Sequence, residues 1–172
     1  MKADKLKLSW YALHTKSRHE NVVTQALNRK SIEAFLPIIN VRSKRRDRKK
    51  INQVPLFPGY LFVRTNLDPR EHLEIMKTPG SIRLVGIGGP VPVSQESIES
   101  LQIMVAANSK IITGTRFRKG DKVIVTSGAF AGVTGFFSRY RGADRVVVNI
   151  GALGQFASVE VDEKDVELMP GE

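Results

Sequence analysis

Apolar residues fall along this chain in short blocks of two kinds, and the spacing inside each block predicts the element it forms. Trp10 to Thr15 is an aromatic and apolar strand; from Arg18 to Lys30, Val22, Val23, Ala26 and Leu27 then recur at the i, i+1, i+4, i+5 spacing of one helical face. Ser31 ends that helix. Ala34 to Val41 reads as a strand whose Pro37 belongs at an edge or a bend, because proline donates nothing to a ladder. Pro55 to Thr65 is apolar on both faces, which predicts a central strand, with Pro58-Gly59 as a bulge or kink. Asp68-Pro69 has the form of a helix start, with Leu73, Ile75 and Met76 as its buried stripe and Pro79-Gly80 as its stop. Ile82 to Ile87 is a further strand, Gly88-Gly89-Pro90 a turn, and Ser94 opens a helix carrying Ile98, Leu101, Met104 and Val105.

The second part of the chain changes rhythm. Strands are expected at Lys122–Thr126, Val133–Ser138, Arg145–Ile150, Ala157–Val161 and Asp165–Leu168, punctuated by glycines, and that density of short strands suits a small barrel. Small and polar residues around Ile111-Ile112 mark the linker. The expectation is an α+β chain: residues 1–107 an α/β sandwich of helices on a mainly antiparallel sheet, 108–115 a linker, and 116–172 a small all-β barrel.

Charge sharpens the division. The 172 residues carry a net charge of +10, but residues 1–107 hold 18 Lys+Arg against 9 Asp+Glu, whereas residues 108–172 hold 9 against 8. A polyanionic partner is expected for the first part and a less anionic one for the second. Most of the excess is in one run, Arg42, Lys44, Arg45, Arg46, Arg48, Lys49 and Lys50, interrupted by Ser43 and Asp47. Such a run projects into solvent or onto phosphates, and without aromatics it positions nucleic acid but does not stack on bases. Cysteine is absent, which removes disulfides, thiolate metal sites and thiol nucleophiles. His14, His19 and His72 have no metal-ligand spacing, Gly86-Ile87-Gly88-Gly89 is followed by Val91 where a dinucleotide loop needs its third glycine, and no serine occupies a nucleophile elbow. No enzyme, metal or cofactor site is expected. No apolar window is long enough to span a membrane, and a cytoplasmic protein is expected.

Two strings carry a resemblance. Trp10-Tyr11-Ala12-Leu13 with Pro55-Leu56-Phe57-Pro58-Gly59-Tyr60-Leu61-Phe62-Val63 resembles the amino-terminal (NGN) domain of the NusG family of transcription elongation factors. Gly120-Asp121-Lys122-Val123 followed by Gly128-Ala129-Phe130-Ala131-Gly132-Val133-Thr134-Gly135 resembles the KOW motif that opens the family's SH3-like carboxy-terminal barrel. The resemblance implies an NGN domain that docks on the clamp helices of RNA polymerase and suppresses pausing and termination, acting as a monomer attached to the nucleoid through the polymerase. Tyr60 and Phe62, alternating to one side of their strand, would line the groove for that helical partner, joined by Leu84. The turn Lys16-Ser17-Arg18-His19 and Thr78 correspond to the face with which specialised members touch non-template DNA, and Arg42 to Lys50 would reach upstream duplex or non-template strand; Lys16, Arg18, His19 and Thr78 are the candidate contacts there.

In the barrel, Phe130 is the candidate partner-binding residue, with ribosomal protein S10 as the implied partner. The segment Ala152-Leu153-Gly154-Gln155 replaces a family Ile-Phe-Gly-Arg string, losing an aromatic and a cation, which speaks against the termination factor Rho. That departure makes the chain look more like the specialised antiterminators typified by RfaH and UpxY; the alternative is a general NusG that also couples to Rho-dependent termination.

Overall fold

The structure, a computed structural model, describes residues 7–42, 50–107, 112–114, 120–140, 143–162 and 165–169. By internal contacts the chain divides into two compact units, Met1–Ile38 with Val54–Ser94, and Ile39–Gln53 with Gln95–Glu172. The described residues form a mixed α/β fold with three α-helices and antiparallel sheets.

The first unit is organised by β1 (Ser9–Thr15), which pairs antiparallel with β5 (Tyr60–Thr65) on one side and with β6 (Ser81–Leu84) and β7 (Pro92–Val93) on the other. A short β2 (Ala34–Phe35) adds to the far side of β5. Because side chains alternate across a strand, Tyr11 and Leu13 of β1 share a face with Leu61 and Val63 of β5. Helices α1 (Glu20–Arg29) and α2 (Pro69–Lys77) cover that face with Val23, Leu27 and Ile75, and Leu84 joins the same cluster. Leu13, Leu27 and Leu61 are fully buried there, each contributing about 1.5–3 kcal/mol by its removal from water. Helix α2 starts as its sequence dictates, with Asp68 accepting the Arg70 N–H at 3.0 Å and Pro69 in the first turn. Two expected stripe residues face outward: Val22 and Leu73 are about half exposed.

Two expected strands are each divided. Pro37 separates β2 from β3 (Ile38–Arg42), and the two halves join different ladders, because Pro37 lacks an N–H and uses its carbonyl to accept from Leu56 N at 2.8 Å. The expected strand from Pro55 to Thr65 is interrupted by a turn closed by Tyr60 N–H donating to Phe57 O at 3.0 Å. Pro58 and Gly59 occupy its central positions and Gly59 has φ +84°, the signature of a type II turn. What precedes it is β4 (Ile51–Pro55), which pairs with β3 in a two-stranded ribbon.

In the second unit α3 (Gln95–Ala106) buries Ile98, Leu101 and Met104. The sheet runs in the order β13-β9-β10-β11-β12-β8, every pairing antiparallel: β9 (Lys122–Val125), β10 (Thr134–Tyr140), β11 (Ala143–Ile150), β12 (Gln155–Glu160) and β13 (Val166–Leu168) are close to the expected strands. The remaining member, β8 (Ile112–Gly114), comes from the expected linker and pairs with β12. Its β-branched residues suit a strand, and β12 offers an edge to receive them. Ser100 clamps α3 to β10, its hydroxyl accepting from Thr134 N at 3.0 Å and lying 3.2 Å from Thr134 O.

Gly135 on β10 faces β11 so closely that a Cβ there would lie 2.3 Å from the Val147 carbonyl oxygen. Gly135→Ala is therefore expected to cost about 2 kcal/mol or more through forced displacement of β11. Urea unfolding followed by circular dichroism measures it, and an unchanged midpoint would mean the two strands can separate freely.

Candidate functional site

The register of β1 on β5 sets Ala12 opposite Phe62 and His14 opposite Tyr60, so these four side chains share the sheet face opposite α1 and α2. At the end of that face the Tyr60 ring, half-buried, stacks on the His14 imidazole with centroids 5.0 Å apart and planes 22° apart. Such a stack contributes about 0.5–1.5 kcal/mol and fixes the direction of both rings. Phe62 is deeper and has no exposed surface; it meets the Phe57 edge and the Phe35 face, each at 6.2 Å. Leu84 is opposite Leu13, on the helix-covered face, and so does not join Tyr60 and Phe62.

The chain leaves β1 through Lys16-Ser17-Arg18-His19, and all four side chains are exposed. Arg18 takes a left-handed φ of +64°, strain of about 1 kcal/mol or more for a non-glycine residue, which turns the chain sharply enough to begin α1 at Glu20. Hydrogen bonds join this turn and the start of α1 to the neighbouring turns. Thr15 N–H donates to Gly59 O, Lys16 N–H donates to Gly80 O, both at 2.8 Å, and the Glu20 carboxylate accepts the Gly59 N–H at 2.7 Å. Glu20 is only 6% exposed, so its second role beyond the first helical turn is structural: it satisfies the amide of the turn that carries Tyr60. Gly80 must be glycine here, since a Cβ would meet His19 Cβ at 2.9 Å and Val23 Cγ2 at 2.8 Å at a φ of +99°.

Thr78 is buried, its hydroxyl donating to Glu74 O at 2.8 Å and accepting from Lys30 Nζ at 3.3 Å. Lys30 is itself paired with the Glu74 carboxylate at 3.1 Å. Of the basic run, Arg42 ends β3 and Lys50 precedes β4, both exposed; Lys44, Arg45, Arg46, Arg48 and Lys49 lie outside the described residues.

In the second unit, Phe130 is on a loop that folds on itself: Ala131 N–H donates to Gly128 O, Val133 N–H to Phe130 O, and Gly132 N–H to Val125 O. Gly128 and Gly132 have φ of +84° and +93°, which that compact path requires. The ring is half-buried and lines a groove of about 360 Å³. Residues Gly151–Leu153 form a single 3-10 turn between β11 and β12, ended by Gly154 in the left-handed conformation. The segment Ala152 to Gln155 therefore forms a tight corner.

A family model described as NusG, transcription termination factor, matches residues 8–102, more than half of the chain. The chain belongs to the NusG family. The NusG transcription termination/antitermination protein of Thermus thermophilus is 33% identical over 184 residues, covering 94% of this chain and 98% of that one. The NusG of Helicobacter pylori strain 26695 is 29% identical, over 93% of this chain and 98% of its own. A solved structure of Thermotoga maritima NusG covers 96% of this chain and 99% of that chain with a TM-score of 0.53; at 22% identity it speaks for the fold.

Within this NusG-family chain, the residues that a strand pattern does not reveal are His14 and Glu20. His14 alternates with Trp10 and Ala12, so its face is legible, but its pairing with Tyr60 depends on a register fixed 46 residues later. Glu20 looks like an ordinary acidic first-turn residue; only the fold brings Gly59 to it. Replacing it tests the tie. Glu20→Ala leaves the Gly59 N–H without its acceptor and is expected to cost about 1–3 kcal/mol, whereas Glu20→Gln, which keeps an acceptor oxygen, recovers most of that. Urea unfolding read through Trp10, the single tryptophan, measures both; equal midpoints for wild type and Ala would remove Glu20 from this role.

Proposed function

We propose that this chain is a transcription elongation and antitermination factor that binds the clamp helices of RNA polymerase through the Tyr60 edge of its first unit. Lys16, Arg18 and His19, with the Arg42 to Lys50 run, lie along non-template or upstream DNA. Phe130 recruits a second protein, ribosomal protein S10, through the second unit, which takes the role of the KOW barrel.

One observation carries the reading: the Tyr60 turn and the cationic turn are bonded to each other through Thr15, Gly59 and Glu20. A rigid, amphipathic aromatic is the kind of group that anchors a protein interface, and exposed cations beside it suit the phosphates that a polymerase holds. Binding one partner thus orients the surface for the other. Phe62 is buried on the same face as Tyr60, Leu84 belongs to the core behind the sheet, and Thr78 fixes the turn leading to Gly80. A factor that works by holding two macromolecules needs no reacting group.

The corner at Ala152 to Gln155, without the aromatic and the cation of the general factor, supports a specialised antiterminator that does not engage Rho. The end-to-end match with Thermus thermophilus NusG favours a second reading, a general factor that also serves termination.

Because Phe62 is wholly buried, its truncation confounds binding with folding, and Tyr60 is the position to alter. Tyr60→Ala is expected to weaken binding to an isolated clamp-helix fragment by about thirtyfold or more, as for an aromatic anchor, while lowering stability by only about 1 kcal/mol. Titration calorimetry with the fragment and a melting curve separate the two effects. Unchanged affinity would overturn the docking assignment.

A further inference from the structure

Among the described residues, the groove beside Phe130 is lined by charge of one sign. Its apolar wall is Phe130 with Val125 and Val161, and among the described residues every ionisable side chain lining it is a carboxylate: Glu160, Asp162 and Asp165. This is a reversal within a chain of net charge +10. We infer that the groove takes a basic peptide segment, in which a lysine or arginine adjoins an aliphatic side chain, from the partner protein. The inference rests on the reading of the Phe130 loop as the recruiting surface and adds the chemistry of what is recruited.

The wall is built before any partner arrives. Asp165 is pinned to the base of the loop, its carbonyl accepting from Thr126 N at 2.7 Å and its carboxylate from the Ser127 hydroxyl at 2.5 Å. The loop's own hydrogen bonds then fix Phe130, so a ligand need not order it, and little conformational entropy is lost on binding. Glu160 ends β12 and is 68% exposed; its cross-strand neighbour Arg145 comes no closer than 3.7 Å and leaves the carboxylate accessible to a second cation.

The chemistry of the occupant follows from these walls. A long cationic side chain can lay its methylenes against Phe130 and Val161 and bring its charge to the rim, combining apolar burial with a cation–π contact and a carboxylate. An acidic segment meets three like charges, and so does nucleic acid. The groove therefore divides labour with the first unit: cations there meet phosphates, and carboxylates here reject them. Rim charges of this kind act mainly on association rate and on selection among partners.

The test uses the full chain labelled with ¹⁵N and two synthetic probes, a Lys-Leu-Lys-Val-Lys peptide and its Glu-Leu-Glu-Val-Glu counterpart. The basic peptide is expected to shift the amides of Ser127 to Gly132 and of Glu160 to Asp162, saturably and less at high salt, and the acidic peptide to leave them in place. Equal shifts from both, or none from either, would overturn the inference. The double variant Glu160→Gln with Asp162→Asn is expected to weaken the basic peptide by roughly threefold to tenfold and to flatten its salt dependence. Asp165 is left intact because it holds the loop. A parallel titration with purified ribosomal protein S10 separates this inference from the reading beneath it. Loss of S10 binding in Phe130→Ala but full binding, with unchanged salt dependence, in the double variant would sustain the recruiting surface and reject the basic segment. Failure of wild type to bind S10, with the peptide result positive, would reject S10 and keep the groove's chemistry.

Discussion

The pairing of β1 with β5 is the constraint from which the rest of the first unit follows. β1 is bonded on both sides, to β5 along six consecutive partners and to β6 and β7 along the other edge. A slip of one residue in that ladder would move Leu61 and Val63 out of the helix-covered core and bring Tyr60 and Phe62 into it. With Leu13 and Leu61 buried completely, such a slip carries a cost of several kcal/mol by area alone. The same register that secures the core therefore also sets Tyr60 on His14. Stability and the proposed docking surface depend on one alignment.

The loops at the end of that ladder translate the alignment into a shared surface. Backbone bonds from Thr15 and Lys16 reach two separate turns, and one buried carboxylate, Glu20, closes the circuit to Gly59. Left-handed conformations at Arg18, Gly59 and Gly80 are the local cost of bringing three turns together. In an adaptor this is where rigidity is useful, because affinity for each partner depends on how little must be ordered at contact. The second unit uses the same device on a smaller scale, where the Phe130 loop bonds to itself and to Asp165. What differs, among the described residues, is charge, cationic on the first unit's turn and anionic around the second unit's groove.

Much of this was legible in the sequence, and the exceptions have physical causes. Asp68-Pro69 specified its helix start because capping is local, and the doubly apolar Leu61-Phe62-Val63 specified a strand flanked on both sides. The division of Ala34–Val41 at Pro37 and the turn at Pro58-Gly59 were marked by their residues, but a proline-glycine step inside an apolar run fits a bulge as well as a turn until the partner strands are known. Leu84 joins Tyr60 and Phe62 only through the family resemblance; its face depends on pairing with Leu13 across a β1–β6 ladder that shifts register between His14 and Thr15. Ile112–Gly114 resembled a linker because small polar neighbours mask a three-residue strand whose reason for existing is the edge of β12. The carboxylate groove was invisible for the same reason, since Phe130, Glu160 and Asp165 are joined only by the sheet.

In the proposed complex the half-buried Tyr60 faces the polymerase while the turn bonded to it faces DNA. A photoreactive phenylalanine analogue placed at position 60, and in a second protein at position 18, reports on both at once when irradiated in a stalled elongation complex. Crosslinks are expected from position 60 to the clamp helices and from position 18 to DNA. Crosslinks from position 60 to DNA alone, or from neither position, would overturn that arrangement.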